Sequence, residues 1–290
     1  MSDELEFTGE RFTPECVREI WYEHVHRYAF ARSLAPGRRV LDAACGEGYG
    51  SRLLSEVAES VLGVDIDGAT IEHARKRYGQ QANLSFQQGD VTALDELPDN
   101  AFDLIACFET LEHVRAQESM LAGFVRMLAP GGVLLVSSPD KAEYSDRCGF
   151  ENEFHVRELY RSELESLLEA KFVRVRLLAQ KLLFQSVLWT LDGEPENASV
   201  VTGDDDGLHP GLQYRPMYYL AICSQQALPQ MPGLHLFGDA AESVYDHYNG
   251  EVRKNMAAGQ RIAELELRNR QFERRLQTGG SWWRRLFGRH

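Results

Sequence analysis

Residues 40–50 read VLDAACGEGYG, an apolar run that leads into three glycines within five positions. The apolar run is typical of a buried strand, and the glycines allow a tight turn whose backbone can approach a ligand closely. A helix that starts after such a turn presents free N–H groups. Asp65 ends the next apolar run, 23 residues after Asp42, where a carboxylate can bind the hydroxyls of a ribose. The stretch therefore predicts a strand, a turn and a helix that bind a nucleotide-like ligand.

Around this stretch, short apolar runs alternate with amphipathic segments. Strands are predicted at residues 39–44, 60–65, 84–88, 102–107 and 133–137, and helices near 49–58, 68–78 and 117–128. Strands that alternate with helices form right-handed crossovers and a parallel sheet with helices on both faces. The predicted fold class is therefore α/β, with a Rossmann-like, doubly wound sheet.

The segments that flank this alternation predict further elements. Residues 15–35 place apolar side chains at three- and four-residue spacings, which indicates an amphipathic helix. Residues 161–169 predict another helix, with Ser162 and a Glu three residues later as a capping box. Two more strands are predicted at 172–179 and 217–224. The Gly-, Asp- and Pro-rich segment between them is too long for a plain hairpin and predicts a cap or a substrate loop.

The charges divide the chain into two parts. The net charge is −13, from 31 Lys or Arg and 44 Asp or Glu. Residues 251–290 carry ten Lys or Arg against four Glu, so residues 1–250 carry a net charge of −19. An acidic body argues against a protein that holds nucleic acid through its phosphates.

Cysteine usage and hydropathy indicate the compartment. Five widely spaced cysteines without a C-x-x-C pair are typical of reduced thiols and not of a disulfide framework or a zinc site. The acidic N-terminus lacks an apolar segment, and no apolar run approaches the roughly 18 residues that span a bilayer. We found no cluster of metal ligands in the sequence, so no metal is expected. These features predict a cytoplasmic protein.

The C-terminal segment predicts a charged helix. Apolar residues recur there at three- and four-residue steps, a short coiled-coil pattern: Ala258, Ile262, Leu265, Phe272 and Leu276. The last ten residues, SWWRRLFGRH, interleave aromatic and cationic side chains. Three interpretations stay open: a solvated helix, a helix that associates with a second copy or a partner, and a peripheral contact with an anionic membrane surface.

The glycine-rich stretch resembles the first motif of the class I S-adenosylmethionine-dependent methyltransferases, an acid followed by a G-x-G-x-G turn. Asp42 matches the acid, and Gly46 and Gly48 match the second and third glycines. Ala44 replaces the first glycine, and its methyl group is tolerated there if φ is negative. The later motifs of the family follow in order as QGDV at 88–91, FDLIACFETLEHV at 102–114 and LAPGGVLLVS at 128–137.

This resemblance implies S-adenosylmethionine as the cofactor and a seven-stranded mixed sheet whose sixth and seventh strands are an antiparallel pair. The residue matching Asp65 binds the ribose hydroxyls in the family, and the pair matching Asp90 and Val91 contacts the adenine. The cofactor-binding residues implied are Asp42, Gly46, Gly48, Asp65, Asp90, Val91, Phe108 and Arg11. The implied domains are an N-terminal helical lid (1–37), a methyltransferase domain (38–225) and a helical, basic extension (226–290).

Two of these residues have specific expected positions. Phe108 would lie near the sulfonium, just past the fourth strand. Arg11 would meet the carboxylate of the cofactor or an anionic acceptor, and a solvated surface arginine is the open alternative. The alternative role for Asp90 is that of a turn residue without a cofactor contact.

The sequence offers two histidines as the general base of the reaction. His113 follows two glutamates at the end of the fourth strand, and a neutral imidazole suits proton removal near pH 7. His155 lies in a segment expected to overhang the site. A structural role in capping or packing is the alternative for each.

The flanking segments narrow the resemblance. GERFTPECVREIWYEHVHRYAFA and NEFHVRELYRSELESLL resemble bacterial methyltransferases of surface-polysaccharide (O-antigen) biosynthesis. This implies methyl transfer to a hydroxyl of a saccharide or glycolipid. The alternatives are an O-methyltransferase of a small lipophilic acceptor such as a quinone precursor, and a membrane-associated scaffold subunit with little turnover.

Overall fold

The computed structural model describes residues 19–149, 151–188, 190–191 and 199–287, and within these ranges side chains are described from residue 20 to residue 276. The chain divides into two compact units, Met1–Phe237 and Gly238–His290. Residues 226–237 therefore belong to the first unit, whereas the sequence assigned them to the C-terminal extension.

Nine strands lie in the described part of the first unit. They are β1 (Arg39–Ala43), β2 (Ser60–Asp65), β3 (Leu84–Gln88), β4 (Phe102–Cys107), β5 (Leu128–Pro139), β6 (Arg174–Gln180), β7 (Val201–Asp204), β8 (Gly207–Pro210) and β9 (Tyr218–Ser224). Seven of them form one sheet in the order β3-β2-β1-β4-β5-β9-β6. The first five pair in parallel, and β9 runs antiparallel to both β5 and β6. The prediction of a Rossmann-like, seven-stranded mixed sheet is confirmed.

The described helices are α1 (Glu19–Leu34), α2 (Tyr49–Ser55), α3 (Gly68–Tyr78), α4 (Gln117–Met127), α5 (Arg161–Glu169) and α6 (Ser243–Phe287). The start of α5 differs from the prediction. Ser162 lies inside the helix, and Glu163 caps it by accepting the backbone N–H of Tyr160 at 2.9 Å. The capping pair is thus Tyr160 and Glu163, two positions before the predicted pair of Ser162 and Glu165.

The core lies on both faces of the sheet because successive residues of a strand point to opposite sides. Leu41 of β1 and Ile105 of β4 belong to one hydrophobic cluster, and Val40 and Leu104 belong to the other. All four are at most 1% exposed. Burial on both faces explains why these strands read as continuous apolar runs.

The sheet topology places a crevice at the carboxyl end of β1. The chain passes from β1 to β2 and β3 on one side and then crosses to β4 on the other side. Open parallel sheets bind ligands at such a switch point, outside the carboxyl ends of the strands. The glycine-rich turn after β1, Asp65 at the end of β2 and Phe108 after β4 all lie at this edge.

The long segment between β6 and β9 contains a small hairpin that the sequence did not predict. β7 and β8 pair antiparallel as a separate two-stranded sheet, with Asp204 paired to Gly207 at the turn. The strands have four residues each and are rich in Gly and Asp, so their composition resembles a loop.

The described part of the second unit is dominated by α6, which continues through the predicted coiled-coil pattern as one helix. Four large apolar side chains of that pattern are exposed: Ile262 (58%), Leu265 (44%), Phe272 (59%) and Leu276 (76%). The side chains of the last ten residues, which carry the predicted membrane contact, lie outside the described residues. Among the described residues, no helix is both long and apolar enough to cross a bilayer.

Candidate active site

The turn between β1 and α2 depends on two glycines in left-handed conformations. Gly46 has φ 55° and Gly48 has φ 89°. A Cβ at Gly48 would lie 2.6 Å from the ring of Phe86, so the turn packs closely against β3. A Cβ at Gly46 would meet nothing within 4 Å, so there is open space beside its backbone. The turn thus has one tightly packed side and one side where a ligand can lie against the main chain.

Ala44 corrects one expectation from the sequence. Its φ is 60°, in the left-handed region, whereas the sequence argument required a negative φ. An L-residue in this region costs about 1–2 kcal/mol, because its Cβ approaches the following carbonyl. The substitution of the first glycine of the motif therefore introduces backbone strain at the site.

Asp42 is fully buried below the turn. Its Oδ1 accepts the hydroxyl of Tyr28 at 2.9 Å, and its Oδ2 accepts the hydroxyl of Ser51 at 2.6 Å. Burial raises the pKa of Asp42 to about 6, and these two hydrogen bonds oppose the rise. Both carboxylate oxygens are already engaged, so we assign Asp42 a positioning role in which it joins α1 and α2 to the turn.

Asp65 is held at the end of β2 by two backbone donors. Its Oδ2 accepts the N–H of Gly46 at 2.9 Å, and its Oδ1 accepts the N–H of Asp67 at 3.0 Å. The carboxylate is thereby fixed beside the open face of Gly46. This arrangement fits a nucleoside ligand of the kind that the sequence predicted, because a fixed carboxylate and an exposed main-chain face lie together.

Asp90 and Val91 follow β3. The side chain of Asp90 is exposed and accepts both the backbone N–H and the hydroxyl of Thr92, at 2.8 and 2.7 Å. These bonds form a turn of the kind that Asp residues favour. Val91 is 8% exposed and packs in the core. Both residues thus lie at the sheet edge expected for adenine contacts, and the side chain of Asp90 also stabilises the turn to Thr92.

Phe108 leaves β4 at the same edge and is 7% exposed. Its ring meets that of Tyr28 edge to face, with the centroids 5.1 Å apart. Since Tyr28 also binds Asp42, this aromatic pair connects α1, the turn and the end of β4. Arg11, the remaining predicted cofactor ligand, lies outside the described residues.

His155 is bound on both sides of its ring. Its Nδ1 lies 2.5 Å from Oε1 of Glu158, and its Nε2 lies 3.0 Å from Nδ2 of Asn152. A proton on Nδ1 that is donated to Glu158 leaves Nε2 as the basic nitrogen. A carboxylate in this position orients the imidazole ring. Sequence analysis selected His155 but not Glu158.

His113 lies beside His155, with ring centroids 4.9 Å apart and the rings nearly perpendicular. Its Nδ1 is 3.1 Å from the carbonyl oxygen of Phe154. The structure therefore brings the two predicted bases together, although they are 42 positions apart in the chain. It also joins them to Tyr144, whose ring stacks on His155 at 5.4 Å.

Glu112, His113 and His155 form a cluster of side chains that could ligate a metal. One ligand atom from each residue lies within 4.8 Å of the others. Glu112 is 1% exposed, and burial followed by the charge of Glu109 raises its pKa well above the usual range. The expectation that the chain lacks such a cluster is corrected here. Because both ring nitrogens of His155 have protein partners, the group forms a hydrogen-bonded cluster in this structure.

The sequence analysis missed a buried ion pair next to this cluster. Arg27 of α1 is 1% exposed, and its Nη2 lies 3.4 Å from Oε1 of Glu109. Glu109 has φ 47°, and the hydroxyl of Ser137 donates to its Oε1 at 2.6 Å. Arg27 is on the same helical face as Phe30 and Ala31. A cation within an apolar face of a helix is the sequence feature that could have identified Arg27 as a buried site residue.

Comparisons with known proteins agree with the fold and with the glycine-rich turn. Residues 41–136 match the family described as "Methyltransferase domain". A probable S-adenosylmethionine-dependent methyltransferase of Mycolicibacterium smegmatis is 39% identical over 168 residues, covering 57% of this chain and 64% of that protein. A protein of Mycobacterium tuberculosis with the same description is 38% identical over 178 residues, covering 60% and 63%. The chain thus spans just under two thirds of the length of these relatives.

Among solved structures, an S-adenosylmethionine-dependent methyltransferase of Thermotoga maritima superimposes with a TM-score of 0.51 at 20% identity. The match covers 71% of this chain and 90% of that one. At this identity the likeness concerns the fold alone. It agrees with the seven-stranded sheet described above.

Proposed function

We propose that the protein is a class I S-adenosylmethionine-dependent methyltransferase that transfers the methyl group to a hydroxyl oxygen, and the match of residues 41–136 and the 39% identical relative support this class. The observation that carries the proposal is the His155–Glu158 pair at the edge of the sheet where the cofactor turn lies. The acceptor that we propose is a saccharide or glycolipid of the kind found in surface polysaccharides.

The residues of this chain would position the cofactor and the acceptor and remove the proton of the acceptor hydroxyl. When it is bound, S-adenosylmethionine supplies a methyl group that is already activated by the sulfonium. The residues that would hold it are the turn at Gly46 and Gly48, the carboxylate of Asp65, and Phe108. Holding donor and acceptor in line then accounts for much of the rate, as it does in other two-substrate reactions.

A hydroxyl acceptor also needs a base. Nε2 of His155 would give up its contact with Asn152 and take the hydroxyl proton while the oxygen bonds to the methyl group, and the sulfur keeps the electron pair of the bond that breaks. The carboxylate of Glu158, 2.5 Å from Nδ1, would accept a hydrogen bond from the resulting imidazolium. An uncharged amine acceptor has less need of such a pair.

A second candidate function has its own support. A cavity that Arg27 lines is otherwise bounded mostly by apolar and aromatic side chains, including Phe30, Leu183 and Phe237. Such a lining also suits a lipophilic acceptor such as a quinone precursor. Both candidates involve transfer to oxygen, and they differ only in the body of the acceptor.

The proposal is tested in two steps. Calorimetry with S-adenosylmethionine and S-adenosylhomocysteine should give saturable binding, whereas no binding would favour a scaffold without turnover. Methyl transfer from labelled cofactor is then compared between surface-polysaccharide extracts, quinone precursors and amines. Transfer to amines alone would contradict the assignment to oxygen.

The base is tested separately. His155→Ala and Glu158→Gln should lower kcat by about 10²–10⁴-fold, the usual contribution of a general base, and leave S-adenosylhomocysteine affinity unchanged. His209→Ala is the control, because His209 makes a similar contact with Asp204 in the β7–β8 hairpin. An unchanged kcat in both site variants would remove His155 as the base.

A further inference from the structure

A cavity of about 340 Å³ lies in the first unit, on the β9–β6 side of the sheet. It is bounded by α1, the end of β6 and the segments around residues 212–216 and 232–237. Its volume is within the range of small-molecule sites, about 300–1,000 Å³. The established methyltransferase motifs do not account for it, because none of the turn residues 42–50 lines it.

Arg27 is one of the residues that line this cavity, and its buried guanidinium is not fully satisfied. Nε donates to Oε1 of Gln180 at 2.8 Å, and the guanidinium lies over the ring of Tyr218 at 4.6 Å. Neither Nη1 nor Nη2 has a hydrogen bond among the described residues, and Nη2 has only the 3.4 Å contact with Glu109. A buried cation whose donors lack acceptors is costly, so the site favours an added anionic oxygen.

The charges around the cavity point the same way. Of the four formally charged residues that line it, three are cations, Arg27, Lys181 and Arg215, and Glu23 is the acid. Glu109 contacts Arg27 from the end of β4, and Glu143 pairs with Arg215 at 3.2 Å. His26 also lines the cavity, and burial lowers its pKa to about 4, so it is uncharged near pH 7.

Two of the three partners of Arg27 lie away from the glycine-rich turn, and the third, Glu109, follows Phe108. The partners Gln180 and Tyr218 lie at the end of β6 and the start of β9. β9 is three strands away from β1 in the sheet, about 14 Å at the usual strand spacing. The ring of Tyr218 is 5.9 Å from that of Tyr144, which stacks on His155. A series of side-chain contacts therefore leads from Arg27 through Tyr218 and Tyr144 to the proposed base.

We propose that Arg27 binds an anionic group of the acceptor, a carboxylate or a phosphate, while an apolar part of the acceptor fills the cavity. This rests on the proposed function and narrows its substrate class to anionic amphiphiles, such as a glycolipid that carries a phosphate. A planar guanidinium can donate two parallel hydrogen bonds to such a group.

The test measures binding of n-octyl phosphate and n-octanol to the full chain by calorimetry, below their micellar concentrations and in the presence of S-adenosylhomocysteine. The wild-type protein should bind the phosphate at least about tenfold more tightly than the alcohol, as expected for a charge-assisted, partly buried contact. Arg27→Met and Arg27→Lys should lose most of this preference. Arg32→Met on the same helix is the matched control, because Arg32 is 44% exposed and pairs with Glu56.

The outcomes separate the two proposals. Unchanged S-adenosylhomocysteine affinity in the Arg27 variants, with loss of the phosphate preference, supports an acceptor site. Loss of S-adenosylhomocysteine affinity instead would assign Arg27 to the carboxylate of the cofactor and overturn the inference. An equal affinity of the wild type for phosphate and alcohol would also overturn it, even if the Arg27 variants do not fold. Absence of S-adenosylhomocysteine binding by the wild type would contradict the proposed function itself.

Discussion

Ala44 is the position where a single methyl group affects the glycine-rich turn most directly. Because its φ is 60°, we expect Ala44→Gly to stabilise the protein by about 1 kcal/mol. Relief of strain exceeds the entropy that glycine adds to the unfolded chain. The measurement is the free energy of unfolding in urea.

The control for this prediction is Ala43→Gly, one residue earlier and inside β1. Ala43 is fully buried, so this change removes packing and should destabilise the protein. Equal changes in the free energy of unfolding for the two substitutions would show that the backbone conformation of Ala44 does not determine the effect.

Asp42 gives a pH dependence whose sign can be worked out. Burial raises its pKa to about 6 in the folded protein from an ordinary value of 3.8. The folded state therefore holds a proton that the unfolded state loses between these values, and stability falls as the pH rises through this window. Asp42→Asn removes this loss. The free energy of unfolding of the variant minus that of wild type should therefore rise by roughly 2 kcal/mol from pH 4 to pH 8.

Asp103→Asn tests the sign of that prediction. Two hydrogen bonds from the side chain of Arg39 lower the pKa of Asp103, so its ionised form stabilises the fold. Its replacement should cost stability at neutral pH and little in acid. Parallel pH profiles for the two variants would contradict the account of Asp42.

At this scale the sequence predicted residues that belong to a contiguous motif. Gly46, Gly48 and Asp65 lie together because adjacent parallel strands end at the same edge. Arg27 and Glu158 could not be predicted as site residues, since their roles come from partners such as Glu109 and His155 that the fold brings near them. Pairing between distant segments has no local signature.

At the scale of elements, α1 is part of the core as well as a predicted lid. It buries Tyr28, Phe30 and Ala31. A ring nitrogen of His26 lies 2.9 Å from one of His235, the ring of His26 stacks on Phe237, and the ring of His235 meets Phe30 edge to face. The helix is thereby tied to the segment before the end of the first unit, a contact that hydropathy patterns do not reveal.

This pairing predicts a loss of stability in acid. Burial, followed by the neighbouring His235 and Arg27, lowers the pKa of His26 to about 4. The unfolded state takes up a proton below its ordinary pKa of 6.5, so the contribution is complete above pH 6.5 and is lost as the pH falls toward 4. The melting temperature of His26→Phe should therefore fall less between pH 6.5 and pH 4.5 than that of wild type.

His247→Phe on α6 is the control for the acid effect, because His247 is exposed. Its melting temperature should follow that of wild type over the same pH range. If the melting temperature of His26→Phe also followed that of wild type with pH, the histidine pair would not limit stability in acid.

Elements covered on both faces of the sheet were predicted well, and exposed ones less so. β2, β3 and β4 have the predicted bounds, and each contains buried apolar residues, in nearly continuous runs in β2 and β4 and in alternation in β3. β7 and β8 were not predicted, because their side chains are mostly exposed and their sequence is rich in turn residues. Burial is therefore what made a strand recognisable in this chain.

At the scale of the whole molecule, the two units differ in how they use apolar residues. The first unit buries them around one sheet. The second carries exposed apolar residues on α6, and four of them lie near one side of the helix: Ile262, Leu265, Phe272 and Leu276. Apolar residues at alternating three- and four-residue steps are the pattern by which helices associate.

We therefore predict that the chain self-associates through α6. Replacing Ile262 and Phe272 together by Glu should shift the protein toward monomer in analytical ultracentrifugation, since both side chains are more than half exposed and lie on one face. The matched control replaces Gln260 and Gln271 by Glu, which adds the same charge on the opposite face. An unchanged sedimentation coefficient in the first variant, or an equal shift in both, would contradict association through this face. S-adenosylhomocysteine binding should survive in all variants, because the glycine-rich turn and Asp65 belong to the first unit.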